Sequence, residues 1–532
     1  MAPPLLALKS GITGRRAALA AVLALSAALR LHRLPEQGLL LFDEGFLVRE
    51  ARSIRSIAIG MAGLVNAGPT EKAAAKGELS RLVRSSPVQF AKPAHNIPLA
   101  ALLSWVTRAD LATLLLSAMA GILATWAAFL LGQALFGWST GIISALILAI
   151  SPYHLLYSRS GLSDSLTILF WTLSLWAWLK GGKSSAILSG IFGGLCVGAN
   201  YREMFIPFLF LGLSLETARR DGISAGVGRF IAWLGAYTAI MLALELPYRL
   251  AELASGSKFP NGTFLHQTGI LLAFHGSQGF LFSGWPAFFH YIVRWEGLTS
   301  LAWLAAASAF QFRQWRGNEG AFNLALLVPW ILFSAYWDNA SRFFSILLPL
   351  TAIMKGRWLV KGWNLAAEKS GMARGTVLAA VVLLSALPRV RAMVPRPTPY
   401  PAAAKILAES GNPMHYSTNP WLGDALLGPG TAQPFPPEPR MLAKKGGIRF
   451  AITDLQALFG GFYRPDERYR TAEWVVKRFT LIMSERYNDD ALSQYIFEQD
   501  MDFQGAEKML GELRNQDPAL KLFDLARPLP GK

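Results

Sequence analysis

The chain has 532 residues, 52% of them hydrophobic and only 16% charged. Soluble domains carry about 25% charged residues, so a soluble globular protein is excluded, and a mean hydropathy of +0.33 agrees. The net charge of +17 does not indicate a nucleic-acid partner, because no basic module interleaved with aromatic residues is present. Basic residues also collect on cytoplasmic loops and against anionic lipid headgroups. The single cysteine, Cys196, rules out a disulfide framework and a cysteine-built metal site.

Mostly apolar stretches approaching the roughly 20 residues a spanning helix needs lie near 15–33, 110–133, 138–154, 164–181, 186–201, 204–218, 229–247, 297–312, 321–337, 342–356 and 375–393. The first, preceded by Arg15 and Arg16, reads as a retained signal-anchor, since many further spans follow it. Short loops rich in lysine and arginine mark the cytoplasmic side. Lys9, Arg15 and Arg16, then Lys180 and Lys183, Arg219 and Arg220, Arg313 and Arg316, and Lys355 and Arg357 all fall on one side when the N-terminus is cytoplasmic. The expected location is therefore the inner or plasma membrane, in contact with its lipids.

This topology puts the loops 34–98 and 248–296 and everything after the Pro-rich stretch Val394–Pro401 outside the cytoplasm. In the first loop, Phe46–Leu64 has apolar residues at helical spacing among Arg49, Arg52 and Arg55, which suits a helix lying in the interface. Past residue 400 the chain turns polar, with a strand expected at Ile448–Thr453 and helices at Thr471–Lys477 and Gly505–Leu513. The expected fold is an all-α polytopic membrane domain of about eleven transmembrane helices over 1–394. A small extracytoplasmic α/β domain follows over 395–532, and little of the active site is expected in it.

Ionisable groups near a membrane are costly and usually functional. Asp43-Glu44 follows the first span and reads as an interface-capping carboxylate pair, as a partner for Arg49 one turn later, or as a general base. Lys92-Pro93-Ala94-His95 precedes the second span; proline fixes the turn, and the lysine serves as an anchor or a phosphate ligand at headgroup depth. Tyr157–Asp164 brings Arg159 and Asp164 between the third and fourth spans, where Asp164 could also cap a helix. Asp338-Asn339-Ala340-Ser341-Arg342 supplies a guanidinium suited to phosphate. In Tyr201-Arg202-Glu203 the arginine and glutamate could pair with each other.

The order of these motifs resembles that of the GT-C glycosyltransferases, closest to bacterial enzymes of the protein O-mannosyltransferase and aminoarabinose (lipid A) transferase type. It comprises an acidic pair after the first helix, Lys-Pro before the second, Arg and Asp near the fourth, Arg-aromatic with a later proline (Arg342, Phe343, Pro349), and a C-terminal extracytoplasmic domain. The resemblance covers roughly residues 15–360. It implies transfer of a sugar from a polyprenyl-phosphate donor to a protein, lipid or cell-envelope glycan acceptor, with inversion. It makes Asp43 the base, Glu44 and Asp164 accompanying acidic groups, and Lys92, Arg342 and Arg159 the donor-phosphate ligands. His95, Arg202 and His266 are further candidates. The family's acidic residue before Lys-Pro is Ala91 here, and Ala94 replaces its second proline. A divalent metal thus has no clear ligand set, although His95 and His266 could contribute. The competing class is a lipid or solute transporter or flippase, whose usual internal repeats are not evident.

Overall fold

The computed structural model describes residues 12–86, 92–278, 284–313, 315, 317–336, 339–370, 387–394, 397–411, 413–442, 447–457, 467–499 and 503–529. Its membrane part is helical: α1 (Ile12–Leu31), α2 (Phe42–Asn66), α3 (Lys72–Arg84), α4 (Pro93–Leu102), α5 (Ala109–Phe136), α6 (Trp138–Ala149), α7 (Pro152–Ser158), α8 (Asp164–Leu179), α9 (Lys183–Ala199), α10 (Ile206–Asp221) and α11 (Ile223–Ser255). α12 (Phe264–Gln278), α13 (Ala287–Tyr291), α14 (Leu298–Gln311), α15 (Gly317–Ala335) and α16 (Leu348–Ser370) complete it.

Every expected span up to 342–356 coincides with a helix. The last, 375–393, lies outside the described residues as far as residue 386. Only four described segments are long and apolar enough to cross a membrane unaided: Thr13–Glu36, Ala109–Phe136, Ile223–Ser255 and Ser341–Leu365. A fifth is the pair α6 and α7, bent by 64° where Pro152 starts a new helix and the Ser151 hydroxyl accepts the His154 amide. Several of the other expected spans are short. α8, α9, α10 and α14 have 16, 17, 16 and 14 residues, which at 1.5 Å each falls below the roughly 30 Å hydrocarbon layer.

Close approach holds the bundle together. Gly190, Gly194 and Gly198 form a small-residue stripe on α9, and a Cβ at Gly190 would sit 2.2 Å from the Trp233 carbonyl of α11. Such stripes let helix backbones touch where no hydrophobic effect drives them together. The expected loop at 248 starts later, because α11 continues to Ser255 and ends at Gly256 with a left-handed φ of 69°, a usual glycine stop. Two of the basic residues read as cytoplasmic meet neighbouring helix ends: Arg220 reaches Asn318, and Arg357 reaches Gln311 and Glu319.

The C-terminal region carries a five-stranded mixed sheet built from β1 (His415–Ser417), β2 (Ala432–Pro434), β3 (Phe450–Thr453), β4 (Phe479–Arg486) and β5 (Ala519–Pro528). Its order is β2-β1-β3-β5-β4, with β1 parallel to both neighbours and β5 antiparallel to β3 and β4. The expected strand and both helices are present, the helices as Glu467–Arg478 and Phe503–Arg514.

Candidate active site

Asp43 stands in the first turn of α2, where the helix dipole favours a carboxylate. Its Oδ2 accepts from Arg342 at 2.6 Å. Arg342 opens the 3-10 segment Ser341–Leu347 that leads into α16, and its Nε lies 3.3 Å from Glu498. One guanidinium thus bridges a carboxylate of the first loop and one of the C-terminal region. Asp43 is 34% exposed and Arg342 13%, so the pair lies at an opening. Burial pushes the Asp43 carboxyl up, but Arg342, Lys92 and Arg202 together outweigh it and hold the group below its ordinary value.

Lys92 is the N-terminal flanking residue of α4 and is almost wholly buried. Its ammonium has no hydrogen-bond partner among the described residues, yet it feels the charges of Asp43, Arg342, Arg202 and Asp164. Burial pulls it below the usual lysine value, helped by the two arginines and opposed by the two aspartates. An uncommitted cation held among charges is poised to take an anion. Asp164, at the start of α8, pairs with Arg202 at 2.6 Å. The Arg202 guanidinium also lies 4.4 Å from the centre of the Phe343 ring, next to Arg342 in the chain. Residues distant in sequence therefore form one cluster: Asp43, Lys92, Asp164, Arg202, Arg342 and Glu498.

The sequence carried no signal for Glu498, the one residue of the C-terminal part that joins this cluster among the described residues. Glu498 follows a helix at Asp489–Phe497 and accepts the hydroxyls of Tyr157 and Ser341. Burial pushes its carboxyl up to about 7, with Arg342, Tyr157 and Ser341 opposing. Because this folded-state value exceeds the ordinary 4.5, the folded protein holds the extra proton between them. Stability is then greatest below about 4.5 and falls as pH rises through about 7. Glu498→Gln should flatten that slope in a pH series of thermal unfolding, and an unchanged slope would remove Glu498 as its source.

Most of the other candidates are placed elsewhere. Glu44 turns away from the cluster: its carboxylate accepts the amides of Leu40, Leu41 and Gly161, capping α2 and tying it to the loop before α8. Arg159 donates to the carbonyls of Leu29, Arg30 and His32 and to Gln37, because a guanidinium satisfies the open carbonyls at the end of α1. Arg202 pairs with Asp164 rather than with its neighbour Glu203. His95 is buried against Asn96, which donates to Glu50, and burial lowers it to about 4. His266 is exposed on α12. Asp338 lies outside the described residues. No group of three or more His, Cys, Asp or Glu able to hold a metal occurs among the described residues.

Residues 96–248, which carry Asp164 and Arg202, match the family model described as dolichyl-phosphate-mannose-protein mannosyltransferase. A search of curated protein sequences finds no match. Among solved structures, the chain is similar to the oligosaccharyltransferase AglB of Archaeoglobus fulgidus in complex with an inhibitory peptide and a dolichol-phosphate. That likeness has 11% identity, 96% of this chain and 88% of the other covered, and a TM-score of 0.55. ArnT of Cupriavidus metallidurans in the apo state is similar at 13% identity, with 85% and 95% covered and a TM-score of 0.55. The A. fulgidus oligosaccharyltransferase tethered to an acceptor peptide gives 12%, 88%, 72% and 0.52. The chain therefore shares the fold of these glycosyl-transfer enzymes, and its central helices match the mannosyltransferase family model, in keeping with the resemblance read from the sequence.

Proposed function

We propose that the protein transfers a sugar from a polyprenyl-phosphate donor to an acceptor on the extracytoplasmic face of the inner or plasma membrane, with inversion. The observation that carries this reading is the cluster in which an ionised Asp43 lies among Arg342, Lys92 and Arg202. A carboxylate beside an otherwise uncommitted lysine matches the two halves of such a reaction. The acceptor hydroxyl or amine loses its proton to Asp43 as it attacks the anomeric carbon. The bond from that carbon to the phosphate oxygen breaks, its electron pair stays on the phosphate, and Lys92 and Arg342 neutralise the charge that develops there. Asp164 keeps Arg202 oriented beside them. The dolichol-phosphate bound by the A. fulgidus relative supports a lipid phosphate as the leaving group.

The N-terminus is cytoplasmic in this reading, because lysine and arginine accumulate in the short loops of that side, and about eleven spans cross the membrane. The membrane domain covers 1–394 and the C-terminal domain 395–532. A test incubates the purified protein with a panel of prenyl-phosphate sugars and follows released prenyl phosphate. Release with one donor is expected; vesicle flux without transfer would favour a transporter. Lys92→Ala should raise the half-saturating donor concentration at least about tenfold, the usual scale for one lost charge-assisted contact. An unchanged donor dependence would reduce Lys92 to an anchor.

A further inference from the structure

α2 has a second use. It rests on the C-terminal region so closely that a Cβ at Gly45 would come within 2.6 Å of the Trp421 main chain. Beside this contact opens a cavity of about 840 Å³, well within the range of small-molecule sites. One wall is α2, through Arg49 and Ser53. The facing wall is made by the carboxyl ends of the parallel strands: Ser417 at the end of β1 and Thr418 just after it, Gln433 on β2 and Gln456 beyond β3. Because β2 and β3 flank β1, the chain reverses its direction of winding there, and ligands of parallel sheets bind in the crevice outside such a point.

The chemistry of the walls is specific. The Arg49 guanidinium lies 4.2 Å from the centre of the Trp421 ring, donates no hydrogen bond among the described residues and is attracted by the Asp424 carboxylate across the cavity. Phe42 and Phe46 hold that ring edge-on. Arg52 ties the walls together by donating to the carbonyls of Asp424 and Ala425 at 2.7 and 3.3 Å. Asn419, between the lining residues Thr418 and Pro420, is fully buried, and its side-chain amide has no partner among the described residues. An orphaned buried amide calls for a ligand or water.

We propose that this cavity binds the acceptor, and that the acceptor is a glycan bearing an anionic group; the assignment rests on the transfer reaction proposed above. A fixed indole offers a face for a sugar ring, the hydroxyls and amides suit its hydroxyl groups, and the Arg49 guanidinium, whose hydrogen-bond donors are unused among the described residues, suits a carboxylate or phosphate. An extended peptide fits less well. The exposed sheet edge here is β2, three residues long and ending in Pro434, which has no amide to donate. The cavity also adjoins the reaction centre: Phe42 and Gly45 line it, and Asp43 lies between them in the chain.

The test is titration calorimetry of the full chain in nanodiscs with four probes: tetragalacturonate, phosphorylated maltotetraose, maltotetraose and a Ser/Thr-rich octapeptide. One of the two anionic glycans should bind most tightly, which of them does telling carboxylate from phosphate. Arg49→Gln should weaken that binding about tenfold or more, the scale of one desolvated cation contact, and Trp421→Phe should weaken both it and maltotetraose. Asp43→Asn should keep glycan binding while losing transfer. Failure of both anionic glycans to bind, equal binding to Arg49→Gln, or preference for the peptide would overturn the assignment. Glycan binding without transfer from any donor would instead sink the proposed reaction and leave this site standing.

Discussion

Asp43→Asn should lower sugar transfer by about a hundredfold to ten-thousandfold, the range a positioned general base supplies, while binding of prenyl phosphate persists. Asparagine is nearly the same size and still accepts a hydrogen bond from Arg342, whose partner on the other side, Glu498, is untouched. Folding should therefore survive, and the loss can be assigned to proton transfer. The wild-type carboxylate is held below its ordinary value by three cations that outweigh burial, so it is ionised throughout the neutral range. Its titration should show only as a fall in rate on the acid side, below its already lowered value. Transfer that continues in Asp43→Asn at a comparable rate would end the assignment of the base.

Arg342→Ala should have the second largest effect, and it separates structure from chemistry. Removing the guanidinium leaves Asp43 and Glu498 facing each other without their shared cation. Breaking a buried pair typically costs about 3–5 kcal/mol, and the lower end applies here because Asp43 is 34% exposed. Glu498, 1% exposed, would take up a proton more readily still. Thermal unfolding should shift down accordingly, and transfer should fall about a hundredfold, as when one preorganised charge contact to a developing anion is removed. The double variant Arg342→Ala/Glu498→Gln removes the uncompensated carboxylate. It should recover much of the stability and none of the transfer. Recovery of both would make Arg342 a structural tie alone.

The candidate residues differed in how far their sequence context could speak for them. Asp43, Lys92 and Arg342 stand out because a charge at the end of an apolar span is expensive, and expense is visible residue by residue. Glu44 and Arg159 stand out for the same reason, yet their charges serve helix ends: Glu44 collects three amides and Arg159 three carbonyls. Hydropathy cannot tell a charge that caps a helix from one that faces an opening, since both occupy span ends. Glu498 was invisible because it lies in a polar region where one more carboxylate is unremarked.

Composition, span positions, the basic bias of alternate loops and the order of charged motifs were properties of the chain as a string, and they determined the membrane class, the superfamily resemblance and the positions of the helices. Which charges meet was decided only by the folded molecule. Asp43 and Arg342 are 299 residues apart, and Tyr157 and Glu498 are 341 apart. Such pairings depend on how helices stack and on where the C-terminal sheet docks. Local patterns report the solvent each residue prefers, whereas electrostatic partnership depends on distance in space, which only the tertiary packing sets.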